Sequence, residues 1–310
     1  MSYNNYIRRI KKVLKHPRLL LSKLIMNETI GHLLSDETFL KLSYRLRMGQ
    51  KLDLDNPQTF TEKIQWLKLH NRSELCTQVV DKARSKDWFL SKCETGHVIP
   101  TIGEWDHFED IDFDSLPNKF VLKCTHDSGS VVICRDKNSF DKASAKKKLT
   151  KRLSKNYFWV GREYSYKNAQ PKIIAEPLMK DEDSNDLPDF KFFCFNGQPK
   201  VLFYASGRFR EKDSVPYFDY YDMDLNHLDI HSAGHDNAPQ RLQPFPQFED
   251  MKAMAATLSK DFPHVRVDFY LINGRIYFGE ITFHHDGGFV PFQPESWNEV
   301  FGNWIQLPKQ

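Results

Sequence analysis

One stretch near the carboxy-terminal end constrains the fold more than any other. It runs Arg266-Val267-Asp268-Phe269-Tyr270-Leu271-Ile272-Asn273-Gly274-Arg275-Ile276-Tyr277-Phe278-Gly279-Glu280-Ile281-Thr282. Asn-Gly between two β-forming runs is a strong hairpin signal, because both central residues of the tightest turn need positive φ. Side chains alternate along a strand, so Arg266 shares a face with Asp268, and Glu280 with Thr282, while Val267, Phe269 and Ile281 go to the core. A two-residue loop would put Asp268 and Glu280 on opposite faces, so their sharing a face requires an odd loop. Parity therefore predicts a three-residue loop, Ile272-Asn273-Gly274, with Gly274 left-handed in a G1 bulge. That loop pairs Leu271 with Arg275 and sets Arg266 opposite Glu280. Two carboxylates beside a guanidinium suit hard divalent cations that bridge phosphate oxygens. The plainer reading is a hairpin whose charged face looks at water.

A second constellation is Phe120-Val121-Leu122-Lys123 leading through Cys124-Thr125-His126-Asp127-Ser128-Gly129-Ser130 to Val131-Val132-Ile133-Cys134. Strand, small polar loop and strand make a flap whose backbone NH groups can cover phosphates, with Lys123 touching one; Gly/Ser loops also join ordinary hairpins. The flap matches neither GxxxxGK[ST] nor GxGxxG, so neither a P-loop nor a Rossmann site is indicated. Cys124 faces away from Lys123 and reads as a packed thiol. In a third segment, the apolar strand Ile173-Ile174-Ala175-Glu176 runs into Pro177-Leu178, and Asp189-Phe190-Lys191 follows an acidic loop. A hinge there could seat adenine, with a carboxylate on the ribose.

Further strands are expected at 191–195 and 200–204, and helices at about 141–153 and 248–259. Thr59 with Glu62 at the third position reads as a capping box opening a helix through Phe60, Ile64, Trp66 and Leu67. A second helix is expected to hold Asp81-Lys82 ahead of Trp88 and Phe89. Strands and helices segregated in this way predict an α+β domain rather than a doubly wound parallel one. The expected divisions are a helical arm at 1–50, a small region at 51–116 and a main domain at 117–310 with a hinge near 174–180.

Five cysteines, an odd number with no CxxC, argue against both a disulfide framework and a structural zinc site, and a cytoplasmic chain is expected. No apolar run approaches the ~20 residues of a spanning helix. A net charge of +3 does not make nucleic acid a partner. The charge is uneven, however: Arg8, Arg9, Lys11, Lys12, Lys15, Arg18 and Lys23 interleave with apolar residues at helical spacing. This basic arm suits either an anionic membrane surface, as a peripheral contact at the inner leaflet, or packing against the body.

In this order the pieces resemble the ATP-grasp superfamily, and specifically its TupA-like branch of polysaccharide and teichuronopeptide biosynthesis proteins. The likeness begins near Tyr44-Arg45-Leu46-Arg47-Met48-Gly49 and continues through Asn56-Pro57-Gln58-Thr59-Phe60, Glu62 to Lys68, Asp81-Lys82, Phe120 to Lys123, Ile174-Ala175-Glu176, Asp189 to Gly197 and the final hairpin. The resemblance implies an ATP-grasp fold, two α+β subdomains holding ATP between them, with a pre-ATP-grasp region ahead of it. By the same likeness Lys82 and Lys123 bind ATP phosphates under the flap Ser128-Gly129-Ser130. Glu176 and Leu178 lie at the adenine hinge, Asp189 meets the ribose, and Lys191 also contacts the nucleotide. Asp268, Glu280 and Thr282 would hold magnesium (Mg2+), and Arg266 would stabilise charge on the transferring group. Two departures stand out: Thr282 occupies a position where Asn is common, and Asp127 puts a negative charge into a flap poor in glycine.

The implied reaction joins a carboxylate to an amine at the expense of ATP, through an acyl phosphate. Family inference makes the acid a uronic acid of a bacterial capsule or cell-surface polysaccharide and the amine an amino acid. Arg162, Lys167, Arg208 and Arg210 are candidates for gripping the acid, each alternatively a solvated charge, and His284 and His285 for a substrate contact or simple exposure. Two rivals remain. A glycosyltransferase would use Asp222-Met223-Asp224 or Asp181-Glu182-Asp183 as a metal-binding pair, and a non-catalytic adapter would use the basic helix to recruit partners.

Overall fold

A computed structural model describes residues 17–26, 31–182, 184, 186–208 and 215–309. The basic arm from Arg8 to Lys15 lies outside the described residues, as do Asp183 and Arg210. The helices are α1 (Pro17–Ile25), α2 (Asp36–Met48), α3 (Phe60–His70), α4 (Glu74–Val80), α5 (Arg84–Lys92), α6 (Lys142–Leu153), α7 (Phe158–Gly161), α8 (Phe248–Ser259) and α9 (Ser296–Trp304). The strands are β1 (His97–Val98), β2 (Gly103–Trp105), β3 (Phe120–Cys124), β4 (Val132–Cys134), β5 (Ile173–Pro177), β6 (Asp189–Phe195), β7 (Gln198–Ser206), β8 (Tyr217–Tyr221), β9 (His227–Leu228), β10 (His264–Ile272) and β11 (Arg275–Thr282).

They form two sheets, one ordered β1-β11-β10-β6-β7-β8-β9 and the other β2-β5-β3-β4. All neighbours are antiparallel except the pair β1 and β11. The large sheet is covered on both faces, and alternation along the strands divides its side chains. Phe192, Cys194, Val267 and Phe269 join residues of α4, α5 and α8 in one core, whereas Phe193, Phe195 and Phe203 join Phe60, Ile64 and Phe301 of α3 and α9 in another. The small sheet packs Phe120, Leu122 and Ala175 against Ala145 and Leu149 of α6.

Local chemistry explains the element ends. Thr59 and Glu62 close a reciprocal capping box at the start of α3. The helix expected across Asp81-Lys82 is instead broken there. Asp81 Oδ1 accepts from the backbone NH groups of Ala83 and Arg84, both at 3.0 Å, which ends α4 and starts α5. The small region expected at 51–116, ahead of the main domain, supplies strands to both sheets, since β1 pairs with β11 and β2 with β5.

The hairpin departs from its predicted loop. Ile272 pairs with Arg275, leaving a two-residue turn of Asn273 (φ 49°) and Gly274 (φ 73°), as in a type I′ turn. Parity is restored further along: between Asp268 and Phe269 the register slips past Gly279, so that Asp268 pairs with Glu280 and Arg266 with Thr282. A Cβ on Gly279 would approach Asp268 O to 3.0 Å, which is why the bulge takes a glycine.

Candidate active site

The bulge puts a polar patch on the face of the large sheet that elsewhere carries Phe193 and Phe203. Asp268 pairs with Glu280 on one side and with Lys191 on the other. Arg266 donates to Asp268 through Nε (2.7 Å) and Nη2 (2.8 Å), and its Nη2 also reaches Glu280 Oε1 at 3.3 Å and Thr282 Oγ1 at 3.0 Å. Lys191 Nζ bridges Asp268 Oδ2 (2.5 Å) and Asp189 Oδ1 (3.0 Å), and Arg208 pairs with the other Asp189 oxygen. The result is a continuous band of alternating charge, buried at Asp189 and Asp268 and open at Glu280, whose side chain is 45% exposed.

Burial works against the Arg266 charge, but Asp268 and Glu280 outweigh it and raise its pKa. Burial likewise favours the neutral form of Asp268, yet Arg266 and Lys191 hold its carboxyl below the usual value. His285, 6% exposed, meets Arg266 Nη1 through Nδ1 at 2.8 Å. A guanidinium only donates, so that Nδ1 accepts and the ring proton sits on Nε2. Burial pushes the His285 pKa down to about 4, so a neutral imidazole fixes the arginine.

The small sheet brings a second charge cluster. Glu176, 3% exposed, takes Lys86 on one oxygen at 2.6 Å and Lys123 on the other at 2.7 Å. Lys86 was not foreseen from the sequence; its only signal is its place one helical turn beyond Lys82. Leu178 follows the end of β5, where its NH donates to Lys119 O at 3.4 Å.

Lys82 lies in the break between α4 and α5. Its NH donates to Thr125 O at 3.1 Å and its ammonium to Asp127 O. Burial lowers its pKa, Glu280 opposes the shift, and Lys123 adds to it, so the ammonium lies within range of both clusters. Ser128 and Gly129 are exposed at the flap tip, Gly129 at φ 89°, while Ser130 is buried and takes the Cys124 NH on its hydroxyl at 2.8 Å.

Other candidates lie elsewhere. Arg162 is 1% exposed, pairs with Asp36 at 2.9 Å, donates to Gly31 O at 2.5 Å and stacks on Phe39 and Trp159, so it ties down the helical arm instead of facing a substrate. Lys167 lies over the Phe158 and Tyr164 rings. Asp222 organises its own turn, accepting from Asp224 N and Asn226 N, and Asp181 accepts from Asn273 N, so the first carboxylate of each alternative metal pair has structural employment. His284, which the sequence offered for substrate contact or simple exposure, is buried and lies 3.3 Å from the half-buried Glu163, a partner the sequence did not single out.

A divalent cation fits the chemistry of the hairpin face. Two carboxylates and a hydroxyl are all hard oxygen donors, and Glu280 is open to approach. Asp268 has both oxygens engaged by Arg266 and Lys191, so a metal there competes with Lys191. Among the described residues no group of three or more His, Cys, Asp or Glu side chains could hold a metal, which makes this at most a two-carboxylate site.

Comparison with known proteins gives the family. No curated protein matches the chain. The D-alanine–D-alanine ligase of Bacillus anthracis, solved with ATP, is 15% identical, with 73% of this chain and 62% of that one covered and a TM-score of 0.39. The enzyme of the same name from Helicobacter pylori gives 12%, 80%, 69% and 0.41. The biotin carboxylase domain of Hydrogenobacter thermophilus 2-oxoglutarate carboxylase, solved with MgADP and bicarbonate, gives 14%, 75%, 47% and 0.37. The chain thus spans less than two thirds of the length of the Bacillus enzyme. The sequence model of the TupA-like ATPgrasp family matches residues 62–306, from the start of α3 to just past α9 and through every strand of both sheets, and the chain belongs to that family.

Proposed function

We propose that the chain is an ATP-dependent carboxylate–amine ligase. In this reading it attaches an amino acid or another amine to a uronic acid of a bacterial capsule or cell-surface polysaccharide. The observation that carries the proposal is the registered pair Asp268 and Glu280 with Arg266 between them, on a face within electrostatic range of Lys82.

The substrate carboxylate attacks the γ-phosphorus, the bond to the β,γ-bridging oxygen breaks, and ADP leaves with that electron pair. The amine nitrogen then attacks the acyl carbon, the carbon–oxygen bond breaks, phosphate departs, and the nitrogen gives up a proton to water. Magnesium held by Glu280 and Asp268, with Thr282 beside them, would neutralise charge on the phosphate oxygens. Lys82 and Lys123 hold the phosphates as fixed cations, and Ser128 and Gly129 cover them with backbone NH groups. Arg266, already oriented by Asp268 and His285, offers its charge to the tetrahedral centre without having to reorganise. Glu176 keeps Lys86 and Lys123 apart and aimed, and Leu178 and Asp189 border the nucleoside.

ADP release over uronic acids crossed with amino acids tests the reaction; a matched pair that gives stoichiometric ADP and amide supports it. Thermal stabilisation by a nucleotide sugar but not by ATP would favour a glycosyltransferase instead. The basic arm is proposed to meet anionic lipid, each Lys or Arg adding about 1 kcal/mol near the surface. Among the described residues no helix is long and apolar enough to cross a membrane. Deleting residues 1–25 should lower membrane recovery while sparing ATP turnover, and unchanged fractionation would reject the contact.

A further inference from the structure

The flap presents an electrostatic problem. A loop that covers polyphosphate carries Asp127, a carboxylate only 2% exposed. No hydrogen bond reaches either of its oxygens among the described residues. An uncompensated buried anion beside phosphates would repel the ligand that the loop is built to cover.

Arg152, in the last turn of α6, supplies the compensation. Its Nε lies 2.9 Å from Asp127 Oδ2, and its Nη2 donates to Ser128 O. A Cβ on Gly129 would stand 3.2 Å from that same Nη2, so the arginine runs along three successive flap residues. From the other side Lys82 donates to Asp127 O. Asp127 is thus held at its carboxylate by α6 and at its carbonyl by the lysine in the α4–α5 break. The arginine is anchored by its helix: Leu149, three residues earlier, lies in the small-sheet core.

We propose that Arg152 is a positioning residue for the nucleotide. It cancels the charge of Asp127 and fixes the flap so that backbone NH groups, and not a carboxylate, meet the phosphates. The inference rests on the ATP-binding reading above and adds to it a residue outside the strands and the flap themselves. It makes a specific demand: the arginine matters only because Asp127 is anionic, and only to ligands that bear phosphate.

The test is calorimetric binding of MgATP and of adenosine to the full chain as wild type, Arg152→Gln, Asp127→Asn and the double variant. Arg152→Gln should weaken MgATP at least about tenfold and leave adenosine within about twofold. Adding Asp127→Asn should bring MgATP back to within about threefold of wild type. MgATP binding by Arg152→Gln equal to wild type overturns the proposal. So does a double variant as weak as Arg152→Gln, since the arginine would then contact phosphate directly, and so does a parallel loss of adenosine. If Arg152→Gln does not fold, Asp127→Asn alone decides: it must bind MgATP at least as tightly as wild type, and a weakening beyond threefold rejects the idea. A wild-type chain that binds no MgATP sinks the ligase reading as well, whereas one that binds it without this coupling sinks only the role of Arg152.

Discussion

Asp268→Asn keeps the shape of the side chain at the centre of the hairpin face and removes its charge. In the wild type three donors converge on it: Arg266 Nε at 2.7 Å, Arg266 Nη2 at 2.8 Å and Lys191 Nζ at 2.5 Å. An amide keeps one oxygen. Oriented toward Arg266 Nε, it turns its own NH2 toward two cationic donors. Two charge-assisted contacts are lost, at about 1.5–3 kcal/mol each. Removing one partner of a buried ion pair costs about 3–5 kcal/mol. Arg266 retains Glu280 at 3.3 Å and Lys191 retains Asp189 at 3.0 Å, so the low end applies, and the expected loss is about 3 kcal/mol. Urea unfolding at pH 7, followed by tryptophan fluorescence, measures it. With a slope of about 3 kcal/mol/M the midpoint falls by about 1 M. A loss below about 1 kcal/mol would refute the reasoning, because Glu280 and Asp189 would then suffice to neutralise both cations. The sign with pH gives a second check. Burial opposes the Asp268 charge, but Arg266 and Lys191 hold the folded pKa below the unfolded one. Its contribution is therefore complete above the unfolded value and is lost as pH falls through the folded one. The gap between wild type and variant must narrow in acid.

Thr59→Ala removes one half of the capping box on α3 and should cost about 1 kcal/mol, read from the urea midpoint. Gly302→Ala would drive a Cβ to 2.1 Å from Gln58 O and 2.9 Å from Phe60 N, both backbone atoms. The α3–α9 contact must open, and thermal melting should show a loss of about 2 kcal/mol or more. His264, buried beside Phe60 and Phe195 with Nδ1 on Cys194 O at 2.9 Å, has its pKa pushed down to about 3 by burial. It stays neutral in the folded protein while the unfolded chain takes up a proton below about 6.5. Stability should accordingly decline as pH drops from about 6.5 toward 4, and His264→Phe should flatten that slope.

Much of the hairpin was legible because two periodicities agreed: apolar side chains on alternate residues, and a dipeptide that accepts positive φ at both positions. The face shared by Asp268 and Glu280 followed from that agreement. The means of reaching it did not, since a three-residue loop and a two-residue turn with a bulge satisfy the same parity. Gly279 inside the second strand was the available hint. The break at Asp81-Lys82 was missed because it contains neither Gly nor Pro. It comes from a side-chain cap, and Asp within a helical run reads equally as a surface charge. Strand β8 was missed although Tyr217-Phe218-Asp219-Tyr220-Tyr221 is rich in β-formers. Lys86 and Arg162 could not be assigned locally. One is drawn to Glu176 across 90 residues, and the other is enclosed by residues just before and within α2 that no pattern near position 162 announces.

The crossings between the sheets carry a mechanical consequence. The chain leaves the large sheet after β1, enters the small one at β2, and returns between β5 and β6, so two connectors join the two bodies. Two plates fastened at two points cannot slide or separate while both fastenings hold; they swing about the line through them. Movement of one sheet against the other is thereby reduced to a single angle.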